Sequence, residues 1–82
     1  MTEISLEKGT AISLVQYKLN SLRTEIQKIL AKWNEELAQT FITKAKNGTY
    51  QEAENDAIDL RQLLKEEQEM LTLLQNIGAQ NS

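Results

Sequence analysis

Apolar residues recur at helical spacing through the first half of the chain. Val15, Leu19, Leu22, Ile26, Ile29, Trp33, Leu37 and Phe41 follow one another at intervals of 4-3-4-3-4-4-4. That spacing lays one apolar stripe along one side of an α-helix, heptad-like at first and straighter toward its end. Ser13 with Gln16 has the form of a capping box, and Ile12 with Tyr17 that of a hydrophobic staple, so the pattern predicts a helix over residues 14–47. Its weak spot is Thr40-Phe41-Ile42-Thr43, where β-branched side chains crowd χ1.

Asn47-Gly48-Thr49-Tyr50-Gln51-Glu52 joins a stop signal to a start signal. Gly48 can take the left-handed conformation that closes a helix. Thr49 with Glu52 reads as a second capping box, opening a helix over residues 50–77 that Gly78 would end. The second seam is Ala53, Ala57, Leu60, Leu64, Glu67, Leu71 and Leu74, and beside it runs another row, Leu63, Met70, Leu73 and Ile77. So short a turn folds the chain back on itself. The predicted fold is all-α, a long antiparallel helical hairpin. Folding about Gly48 would set Trp33 near Leu63 and Leu64, Ile26 near Leu71, and Leu19 near Ile77. Glu67, on the seam, is expected at a flank or paired with a lysine of the first arm, because an unpaired buried carboxylate is costly.

The doubled apolar row makes the second stripe wider than a two-helix contact needs. Small chains seldom build a sufficient core from one hairpin. The expectation is a homodimer, an antiparallel four-helix bundle, with Leu63, Met70, Leu73 and Ile77 at the partner contact. Before Ser13 the pattern is ambiguous. Ile4-Ser5-Leu6 and Ala11-Ile12-Ser13-Leu14 alternate around Glu7-Lys8-Gly9-Thr10, which reads as a small β-hairpin or, the favoured expectation, an extended or frayed leader over residues 1–12. Residues 79–82 read as a polar tail.

Composition narrows the chemistry. The chain has 82 residues, enough for one domain, and contains neither Cys, His nor Pro. A disulfide framework and a thiolate or imidazole metal site are thereby excluded. No apolar run suits a membrane span and no signal-peptide pattern opens the chain, so the expected setting is cytoplasmic. The net charge of -3 conceals an asymmetry. Residues 14–47 hold six basic side chains against three acidic ones, and residues 50–77 hold two against seven. The arms should attract each other, and such flanking charge helps set partner and orientation.

No residue pattern calls for a catalytic site or a cofactor, and the chain is read as a non-enzyme. Asp56, Asp59 and Glu52 could in principle hold a hard cation or do acid–base work, but they lack a supporting nucleophile or oxygen-rich loop and read as a solvated face. Lys18, Lys28 and Lys32 share one side of the first helix and could meet phosphates, although Glu25 and Glu35 interrupt the row. Asn47-Gly48-Thr49 is formally a glycosylation sequon, better explained as helix punctuation. Trp33 belongs to the core, and Tyr50 is expected against Phe41 or Ile42.

Gly48-Thr49-Tyr50-Gln51-Glu52-Ala53 with Ala57 resembles the turn and second helix of a tetratricopeptide repeat, over about ten residues and without that repeat's first-helix pattern. Residues 4–14 are similar to the opening of the tellurium-resistance proteins, which continue as β-rich calcium-binding domains. The overall design resembles small bacterial secreted hairpins, type III secretion needle subunits and their co-chaperones, without the Trp-x-Gly turn of the first or the proline-bearing turn of the second. These resemblances concern architecture. The function expected is a protein–protein interaction or adaptor module. The alternatives are a structural or secretion-related hairpin subunit or small co-chaperone and, further off, a nucleic-acid-associated regulator.

Overall fold

The computed structural model describes the backbone of residues 2–79 and the side chains of residues 8–78. Three helices follow in order: α1 over Thr2–Lys32, α2 over Ala38–Lys46 and α3 over Glu54–Ala79. Helices α1 and α3 pack side by side in antiparallel sense, and short α2 is tucked in at the closed end. The molecule is elongated, 56 × 18 × 18 Å. Among the described residues there is no strand, and no helix is long and apolar enough to cross a membrane.

The long first helix is displaced from its expected position at both ends. It begins at Thr2, so residues 2–12 form neither a β-hairpin nor an extended leader, and the box at Ser13 and Gln16 lies inside a continuous helix. Alternation over so few residues satisfies either period, and Gly9 is simply tolerated within the helix. At its other end α1 stops at Lys32, fifteen residues earlier than the expected 47. Asn34 takes a left-handed φ of 55°. The Glu35 N–H donates to the Leu30 carbonyl at 2.9 Å and the Asn34 N–H to the Ala31 carbonyl at 3.1 Å. This pair of bonds is a Schellman motif with asparagine in the position glycine usually takes. Leu37 is then extended (φ -115°, ψ 131°) and leads into α2.

Gly48 does close a helix, with φ +86°, but that helix is α2. The expected box at Thr49 and Glu52 does not form. The Asn47 side chain accepts from both the Thr49 N–H, at 3.0 Å, and the Thr49 hydroxyl, at 2.6 Å. Glu52 is left-handed (φ 59°), and α3 starts at Glu54, with the Ala57 N–H bonded to the Ala53 carbonyl. At the far end α3 runs through Gly78 to Ala79; residues 80–82 of the predicted tail lie outside the described residues.

Because residues 33–53 are spent on the break, α2 and the loop, the register differs from the expected one. Trp33 meets Asp56, two turns before Leu63 and Leu64, and Arg23 meets Glu67. Ile26 accordingly shares the core with Leu60 rather than facing Leu71. Val15, Leu19, Leu22 and Ile26 are buried as the seam predicts, joined by Leu30 in place of Ile29. Leu37 is exposed, while Phe41 is fully buried on α2. The core at the closed end is Ile26, Leu30, Phe41, Ala53 and Leu60. Lys8 Nζ is screened from solvent without a hydrogen-bond partner among the described residues.

Candidate functional site

Two regions carry side chains in unusual company. The first is the closed end. The break at Asn34 turns α2 back so that Phe41 meets Trp33 and Tyr50. The three rings form a triad, with centroids 5.6 Å (Trp33–Phe41), 5.1 Å (Trp33–Tyr50) and 5.8 Å (Phe41–Tyr50) apart. Tyr50 packs on Phe41, as the sequence leads one to expect.

Each polar tip of the triad is answered. Trp33 Nε1 donates to Asp56 Oδ2 at 2.8 Å, and Lys32 Nζ reaches the same oxygen at 2.8 Å. The Tyr50 hydroxyl bonds to Glu35, which also receives Lys44 Nζ at 2.7 Å. The Lys32 and Lys44 ammonium groups stand 5.8 and 5.6 Å from the Trp33 and Tyr50 ring centres. These contacts move the proton affinities. The hydrogen bond from Lys44, then that from Tyr50, holds Glu35 below the usual carboxylate range. The hydrogen bonds from Lys32 and then Trp33 do the same for Asp56. Glu35 in turn raises both Lys44 and Tyr50. Every charge here has an opposite charge or a donor against it, which describes a structural clasp. Among the described residues no group of three or more acids gathers as metal ligands.

The basic row of the sequence is engaged in the same manner. Lys18 lies 3.9 Å from Glu66, Lys28 3.3 Å from Glu25 and Lys32 2.8 Å from Asp56. Glu67, the acid on the seam, pairs with Arg23 at 3.0 Å, an arginine of the first arm where a lysine was expected.

The second region is the side of the hairpin toward its open end, where the four residues expected at a partner contact lie. Leu63, Met70 and Ile77 are seven residues apart and line up along α3, with Leu73 beside them. Leu63 packs on the rim of the closed-end core. Met70 and Ile77 are half-buried, and Leu73 is 42% exposed. A fifth residue joins them that the sequence reading omitted. Leu14 is 65% exposed and stands one turn from Lys18 on α1. Lys18 reaches across to Glu66, which sits between Leu63 and Met70 on α3. Leu14 and the α3 row therefore share one side of the hairpin. The signal in the sequence was its place four residues before Lys18; the register that sets it beside the α3 row comes from the fold.

No protein family, curated protein or solved structure matches the chain.

Proposed function

We propose that this protein is a non-enzymatic protein–protein interaction module acting as a homodimer, through the apolar side formed by Leu14, Leu63, Met70, Leu73 and Ile77. The carrying observation is an imbalance between the two long helices. The α1 seam is buried along its middle, with Val15, Leu19, Leu22 and Ile26 each at 7% exposure or less, while α3 beyond Leu60 is left half-covered, Leu64, Leu71 and Leu74 as much as Leu63, Met70 and Ile77. Among the described residues, the large side chains with almost no exposure are Phe41 and Leu60. A core so small is commonly supplemented by association. A cytoplasmic setting belongs to the same proposal.

The test is the mass in solution. Size exclusion with light scattering should give twice the 9.4 kDa chain mass. Leu73→Glu and Leu14→Glu should each give a monomer of undiminished helicity, since neither side chain belongs to the buried core. These positions are cleaner probes than Leu63, whose packing on the core couples association to folding. A native protein that is monomeric at every concentration would overturn the proposal.

A further inference from the structure

We infer that the second copy lies with its two-fold axis parallel to the helices, so that each α1 packs against the partner's α3. This rests on the dimer just proposed and specifies its geometry.

Two isologous arrangements can cover one side of a hairpin. If the two-fold axis runs along the helices, α1 of one copy covers α3 of the other and the two open ends coincide. If it runs across them, α1 covers α1 and α3 covers α3. Apolar burial alone does not choose between these, but charge does. The covered side carries Lys18 and Lys32 on α1, with Glu25 between them bonded to Lys28, and Asp59 and Glu66 on α3, so α1 is on balance basic there and α3 acidic. The wider balance agrees: six basic against three acidic residues over 14–47, and two against seven over 50–77.

The Lys18–Glu66 pair makes the difference concrete. It bridges the two helices at 3.9 Å on the side in question, and both side chains keep access to solvent (52% and 32% exposed). With the axis along the helices, Lys18 faces the partner subunit's Glu66 and Glu66 faces the partner subunit's Lys18. Four charges then alternate in sign around a square. With the axis across the helices, like charge is stacked on like. Exposed pairs add little affinity, but juxtaposed like charges penalise the wrong arrangement, which is how flanking charges select orientation in helical bundles. The same axis keeps axial level. Leu14 then falls opposite the partner subunit's Leu73, one open-end apolar residue against another.

The surface is large for the mass. A compact protein of this mass would expose about 5000 Å². This chain exposes 6221 Å². A stable interface takes about 800 Å² from each partner, and the elongated shape leaves a whole side of the hairpin, Leu14 and Leu73 included, for it to come from.

The chain contains no cysteine, so single introduced thiols report geometry without interference. Leu14→Cys and Leu73→Cys would be prepared separately, shown by light scattering to be dimeric when reduced, then oxidised alone and after mixing. The expected result is several-fold more disulfide-linked dimer in the mixture than in either variant alone. Identical positions sit diagonally across the bundle, beyond the roughly 7 Å between Cα atoms that a disulfide spans. A dimer in which the mixture gives no more linked product than the single variants, or in which Leu14→Cys alone links as well, overturns the arrangement while leaving the dimer intact. A monomer in light scattering for the native chain removes the underlying reading instead.

Discussion

Glu35 and Asp56 tie the closed end together, and their protonation should be visible in Trp33. Both carboxylates are held below their usual range, Glu35 by Lys44 and Tyr50, and Asp56 by Lys32 and Trp33. A depressed acid contributes stability that is present above its unfolded value and lost as pH falls through its folded one. Lys44 and Tyr50 are raised by Glu35, so their contributions are present below their ordinary values and lost as pH rises through the raised ones. The clasp is therefore complete from weakly acidic to weakly alkaline pH and fails at both extremes. Trp33 is the only tryptophan, stacked within the triad and bonded to Asp56, so its fluorescence reports the clasp directly. The emission should be flat across neutral pH and, on the acid side, change only below the usual carboxylate range. Asp56→Asn keeps a carbonyl for the indole N–H but removes the charge, so the acid transition that remains belongs to Glu35. An acid transition lying at or above the ordinary carboxylate range would contradict the described contacts.

At the level of elements, the glycines separate what was legible from what was not. Gly48 has a φ of +86°, where a side chain is strained, whereas Gly9 sits inside α1 with open space around its Cα. Gly48→Ala should destabilise by about 1 kcal/mol, and Gly9→Ala should stabilise by up to about 1 kcal/mol. Urea melts would give both values. No gain at Gly9 would mean that the amino-terminal turns are not helical. Gly48 as a helix stop could be read from the sequence because glycine is the usual left-handed residue. Asn34 does the same work with a less distinctive residue, so α1 and α2 read as one helix. The seam from Val15 to Ile26 was legible because tight burial and helical period coincide there. Beyond Ile29 the period continued in the sequence while the backbone did not, which left Leu37 exposed and carried Phe41 into the core by another route. The opposite charges of the two arms were legible and do bridge the helices. Their register was not, since it depends on the length of chain consumed between residues 33 and 53.

For the whole molecule, shape decides how folding and association are linked. A compact chain of this length would have a radius of gyration of about 12 Å, against 16.5 Å here. So slender a hairpin has much surface for its core, and the interhelical ion pairs Lys18–Glu66, Arg23–Glu67 and Lys32–Asp56 are partly exposed, worth about 0.2–1 kcal/mol each. If a second copy covers Leu14, Met70, Leu73 and Ile77, folded chains are withdrawn into dimers and unfolded ones are not. Stability then depends on concentration through mass action. The Tm of the native protein, followed by helix circular dichroism, should fall steadily on serial dilution. That of Leu73→Glu should not depend on concentration and should match the dilute limit of the native curve, because Leu73 contributes little to the monomer's own packing. A native Tm that stays constant on dilution, equal to that of Leu73→Glu, would mean that the hairpin stands alone and that its apolar side is simply wet.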